Sequence, residues 1–93
     1  MTVGTLVVRF VLRESHSLKD KRQVIRSLKE RLFNKFRVSV AEVDHQDEWQ
    51  QATLGIAVVG TDRRFVDSVL AKVVDVLHYV PGAELVDYET EIW

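Results

Sequence analysis

Cysteine is absent from this 93-residue chain, which excludes disulfides, thiolate nucleophiles and cysteine-based metal sites. Proline occurs once, at Pro81, and glycine four times, and no Pro-, Gly- or Ser-rich stretch marks a linker between domains. No apolar run approaches the roughly 20 residues that span a bilayer. The opening MTVGTLVVRFVLRE lacks the basic segment and small-residue cleavage site of an export signal, so no membrane association and a cytoplasmic location are expected. P-loop, dinucleotide and nucleophile motifs are all missing. Catalytic activity and a bound cofactor are therefore not expected.

What is present suits a single globular domain over residues 1–93. A chain of this length buries only roughly 60–65% of its unfolded surface, so stability is modest unless the protein self-associates. An apolar share of 46% and a charged share of 29% argue against disorder. The net charge of −1 conceals a strong segregation. Ser15 to Arg37 holds eight Lys/Arg against two acids, a net of +6. Glu42–Glu48 and Glu84–Trp93 hold four acids each and no Lys or Arg. Local fields of this kind attract partners, whereas the total mainly governs solubility.

Period-two alternation over residues 3–13 puts Leu6, Val8, Phe10 and Leu12 on one face of a strand. Ser17 is placed to cap a helix with Asp20 in its first turn. Leu18, Ile25, Leu28 and Leu32 then recur at helical spacing over 18–35. Phe36, Val38 and Val40 resume period two, giving a second strand through about Val43. A polar loop, 44–50, leads to a third strand with Ala52, Leu54, Ile56 and Val58 on one face. Thr61 and Asp62 supply cap chemistry for a second helix, about 63–79, whose wide apolar face runs from Phe65 to Val80. Pro81-Gly82 ends it, and 84–92 alternate as a last strand. The order β-α-β-β-α-β with short connections predicts an α+β ferredoxin-like two-layer sandwich. Its sheet is antiparallel, in the order 4-1-3-2, with both helices on one face.

The segments His16-Ser17-Leu18-Lys19-Asp20-Lys21-Arg22, Phe36–Val43 and Asp47-Glu48-Trp49-Gln50 are similar to those of the YlxP-like family of small bacterial proteins. The similarity runs over nearly the whole chain. One departure is Arg37, where the family is expected to carry Asn before Val-Ser-Val. The resemblance implies a ferredoxin-like fold. It also implies a setting near RNA or the ribosome, because genes of such proteins often lie beside those for translation initiation and ribosome maturation. Fold alone does not decide function.

At 100° per residue, Lys19, Arg22, Arg26 and Lys29 fall within about 80° of one another on the first helix, and Phe33 continues the stripe. Four cations on a rigid rod suit phosphate contacts; a merely solvated helix face is the plain alternative. Lys21 lies inside the apolar sector, so its ammonium must overhang the core edge, pair with an acid, or line a small anion site with His16 and the helix N-terminal amides. Overhang in the first turn is the simplest of the three. His45 lies among Asp44, Asp47 and Glu48, but the spacing matches no metal loop, and no metal site is assigned. Trp49 either folds over the core edge or serves as a partner contact. Asp87, Glu89 and Glu91 alternate on the last strand beside Arg9 and Arg13, an arrangement that cross-strand ion pairs explain.

If the helices cover Leu6–Leu12 and Leu54–Val58, the other sheet face presents Val7, Val11, Ala41, Val43, Ala57 and Val59. Its central strands offer no aromatic side chain there, so base stacking on the sheet in the manner of an RNA-recognition motif is not expected. A flat apolar face suits a homodimer or a protein partner. Two functions are thus in view. One is a non-enzymatic accessory protein docking on ribosomal RNA or the ribosome through Lys19, Arg22, Arg26 and Lys29. The other is a homodimeric interaction module that binds no nucleic acid.

Overall fold

The computed structural model describes residues 1–93. Its elements are β1 (Thr2–Val11), α1 (Leu18–Phe36), β2 (Ser39–Asp44), β3 (Gln51–Gly60), α2 (Arg63–Leu77) and β4 (Glu84–Ile92). Each helix begins where the sequence provides an acceptor for its orphan amides. The Ser17 side chain accepts from the Asp20 backbone N–H, and Asp62 accepts from that of Phe65. In return the Asp20 carboxylate accepts from the His16 backbone N–H at 3.0 Å, so the entry to α1 is clamped from both sides.

The four strands form one antiparallel sheet in the order β2-β3-β1-β4, which is the expected order read from the opposite edge. β1 and β3 pair over ten residues, from Thr2–Gly60 to Val11–Gln51. Alternation then puts Leu6, Val8 and Phe10 with Ala52, Leu54, Ile56 and Val58 on a single face. Both helices close on that face, burying Ile25, Leu28 and Leu32 of α1 and Val66, Leu70, Val73 and Leu77 of α2. α2 lies so close to the sheet that a methyl group at Gly4 would collide with Val66 and Leu70. The result is the α+β ferredoxin-like sandwich. No helix is long and apolar enough to cross a membrane.

The structure departs from the sequence reading at three places. α1 runs on through Phe36, and β2 starts only at Ser39. Arg37 between them takes a left-handed conformation (φ 56°, ψ 41°) and donates its N–H to the Phe33 carbonyl, ending the helix. Phe65 was expected on the apolar face of α2 but is 52% exposed. It sits in the first turn over Gly60, whose missing side chain leaves room for the ring. The largest correction concerns Lys21, which does not overhang the core. It is 1% exposed.

Candidate nucleic-acid interface

α1 carries the expected stripe. Lys19, Arg22, Arg26 and Lys29 are all exposed, on the flank of the helix that overlooks edge strand β2. The ion pairs of the chain are Arg9–Asp87, Arg13–Glu84 and Lys21–Glu42. None of the four stripe cations is therefore held by a carboxylate. A groove of about 330 Å³ runs between helix and strand, lined by Arg22, Ile25, Arg26, Lys29, Glu30 and Glu42. Glu42 is committed to Lys21, which leaves Glu30 as the lone unpaired acid against three cations. The balance of the groove is positive.

The stripe continues past the end of the helix. Phe33 is 47% exposed, and the left-handed turn at Arg37 folds that side chain back over it, with the guanidinium carbon 4.9 Å from the ring centroid. The pair is a cation–π contact on the surface. Lys35 makes a similar, longer contact of 5.6 Å with Phe36. Sequence periodicity located Phe33 but not Arg37, because helical projection stops having meaning where the helix stops.

Lys21 and His16 are not brought together as an anion site. The Lys21 ammonium donates to the backbone carbonyls of His45 (2.8 Å), Gln46 (3.2 Å) and Gln51 (3.2 Å). Its three protons are thereby spent. Glu42 Oε2 lies 2.8 Å from the same nitrogen without an aligned hydrogen bond of its own, so its attraction to Lys21 is Coulombic. No donor is left for an external anion. Lys21 instead staples the 45–50 loop to α1, the ion-pair alternative among the three readings of this residue. His16 is exposed, and its backbone N–H serves Asp20.

The 45–50 loop is held at two further points. His45 is left-handed at φ 59°, and its Nδ1 lies 2.7 Å from the hydroxyl of buried Thr53. Gln50 donates its side-chain amide to the carbonyls of Arg13 and Ser15, both at 3.2 Å. The His16–Arg22 and Asp47–Gln50 segments, which carry the likeness seen in the sequence, thus have a structural task in common. They tie the β1–α1 and β2–β3 connections together. Trp49 does not fold over the core edge; it is 54% exposed on that anchored loop. No group of three or more His, Cys, Asp or Glu is placed to hold a metal ion.

On β4 the acids are divided. Asp87 sits opposite Arg9 in register and is bonded to its guanidinium, while Arg13 reaches Glu84 at 2.9 Å. The Arg9 hydrogen bond holds the Asp87 carboxyl below the usual carboxylate range; desolvation opposes this and the guanidinium charge adds to it. Glu89 and Glu91 stand opposite Val7 and Thr5. The open sheet face exposes Val7, Val43 and Val59. A shallow apolar trough of about 510 Å³ lies over Gly55 between Val7 and Val43.

A family model described as a protein of unknown function (DUF503) matches residues 3–90 of the chain. The Bacillus subtilis (strain 168) protein carrying the description "Uncharacterized protein YlxP" is 33% identical over 89 residues, which cover 96% of this chain and 97% of that protein.

Proposed function

We propose, from the premise that the chain belongs to the DUF503 family, that it is a non-enzymatic cytoplasmic accessory protein that docks on RNA, of the ribosome in particular, through α1. The observation that carries this reading is the row Lys19, Arg22, Arg26 and Lys29, exposed and free of carboxylate partners. Charges on a surface meant only for solubility tend to be interspersed in sign. Here four acids are gathered on β4, at the sheet edge opposite the one that α1 overlooks. Such a surface meets a polyanion in one orientation.

Binding to labelled ribosomal RNA fragments at about 50 and 200 mM salt tests it. Four phosphate contacts on a single strand give a slope near −3 on log axes, a loss of about 50-fold across that range. Arg22→Ala and Arg26→Ala each reduce the slope by about 0.7. An absence of binding at the lower salt would remove nucleic acid from consideration.

A second reading rests on the trough over Gly55. Val7 and Val43, 43% and 53% exposed, line it, and contiguous apolar surface of this kind marks contact sites. A homodimer packed through this face, without nucleic acid, would cover it. Sedimentation at tens of micromolar (about the range of weak dimers) decides, since a pure monomer excludes that assembly.

A further inference from the structure

The C-terminal end of the stripe differs from the rest of it. Residues Lys19 to Lys29 offer charge alone, whereas the last turn of α1 offers a ring, a planar cation and amide and hydroxyl groups around one depression. That depression has a volume of about 460 Å³, and Lys29, Glu30, Phe33, Asn34, Arg37 and Ser39 are among the residues that line it, with one acid against two cations. The volume is in the range of small-ligand sites, roughly 300–1,000 Å³.

Its construction follows from the helix end. Phe33 and Arg37 are four residues apart, a spacing that brings side chains onto one face at the end of a helix. The left-handed φ of 56° at Arg37 turns the chain sharply, and the guanidinium comes to lie over the ring at 4.9 Å. A non-glycine residue in this conformation is disfavoured by about 1 kcal/mol or more. The contact with Phe33 is kept across this turn. Ring and guanidinium together present a flat, polarizable and cationic surface, the type on which nucleobases stack.

We propose that this depression receives one unstacked nucleobase of single-stranded RNA, which stacks on the Phe33–Arg37 pair. The adjoining phosphates run back along Lys29, Arg26 and Arg22. This rests on the RNA-docking reading and adds the form of the nucleic acid to it. A base within a duplex has both faces covered by its neighbours and cannot reach the ring. The stripe supplies affinity for any phosphate backbone, and the helix end supplies preference for a single strand. Asn34 and Ser39 stand where they meet the base edge.

The test compares a fluorescein-labelled unstructured RNA with the same RNA annealed to its complement, at about 50 and 200 mM salt. Wild type is expected to bind the single strand more tightly. Phe33→Leu keeps apolar bulk at a half-exposed site but removes the π face. It should weaken single-strand binding by at least about fivefold, with duplex affinity and salt slope unchanged. Arg22→Ala should weaken both RNAs alike. If Phe33→Leu binds both RNAs as wild type does, and both remain salt-dependent, the nucleobase site is refuted while docking by α1 stands. If wild type binds neither RNA, both readings fall together.

Discussion

Replacing Lys21 with methionine keeps the length of the side chain and deletes its charge, so it measures what the buried ammonium does. Four acceptors lose their cation at once: Glu42 Oε2 at 2.8 Å and the carbonyls of His45, Gln46 and Gln51. Removing one partner of a buried ion pair costs about 3–5 kcal/mol, chiefly because the other charge is stranded. The Glu42 side chain is 20% exposed, and the 45–50 loop can yield to admit water to its carbonyls. Both soften the loss, and about 3 kcal/mol is expected. A domain of this size has about 5–14 kcal/mol in total. With a urea dependence of about 1 kcal/mol per molar, the unfolding midpoint should fall by about 2–3 M. Trp49 and Trp93 provide the fluorescence signal. In a Lys21→Met/Glu42→Leu double variant the stranded carboxylate is gone, and at least about 1 kcal/mol should return. A single variant within about 0.5 kcal/mol of wild type, or a strictly additive double variant, would refute the account of Lys21 as the staple of the loop.

Gly4→Ala drives a methyl group into Val66 and Leu70; a destabilisation of about 1–3 kcal/mol is expected in the same urea assay. Ser17→Ala removes the acceptor for the Asp20 amide and should cost about 1 kcal/mol, with loss of helical signal at the start of α1 in NMR shifts. Arg37→Asn suits the left-handed turn better and should raise stability by about 0.5 kcal/mol while weakening single-strand RNA binding, so that stability and binding move in opposite directions. Asp87 is depressed in the folded state, so its contribution to stability is complete above the unfolded carboxylate pKa near about 3.9. That contribution is lost as pH falls through the lower folded value. NMR titration of the Asp87 carboxyl should show the depressed midpoint, and Arg9→Ala should return it to the ordinary range.

The fold was legible because local signals and the hydrophobic pattern agreed. Ser17 and Asp62 mark helix starts, Pro81-Gly82 closes off the second helix, and Leu6, Val8, Leu54 and Ile56 identify the buried face of β1 and β3. The stripe was legible too, since an exposed helix face depends on spacing alone. Lys21 was not, because its partners lie 21 to 30 residues away, on β2, in the loop and at the start of β3, and no local pattern announces carbonyls converging on one point. Its position inside the apolar sector was the available clue, and it showed an anomaly without showing the partner. Arg37 was seen as a departure from a similar family's expected Asn. A residue type tolerant of positive φ at that place was a hint of the helix end. Phe65 misled because moment-type reasoning treats a first-turn residue like one in the middle of a helix, although the sheet below it ends at Gly60.

The position of β1 has a consequence for synthesis. This strand leaves the ribosome before the others, yet it lies in the interior of the sheet and needs β3 and β4 as neighbours. At about 5–20 residues per second, its first partner follows it by roughly 3 to 12 seconds. Through that interval TVGTLVVRFV is a β-prone segment with a single charge and both backbone edges unmatched, the sort of segment that self-associates. Only when residues 51–60 arrive does one flank close, and the other waits for residues 84–92. Completion of the sheet thus waits for its fourth strand, and until then Arg9 is the one charge within the segment that opposes pairing with its like.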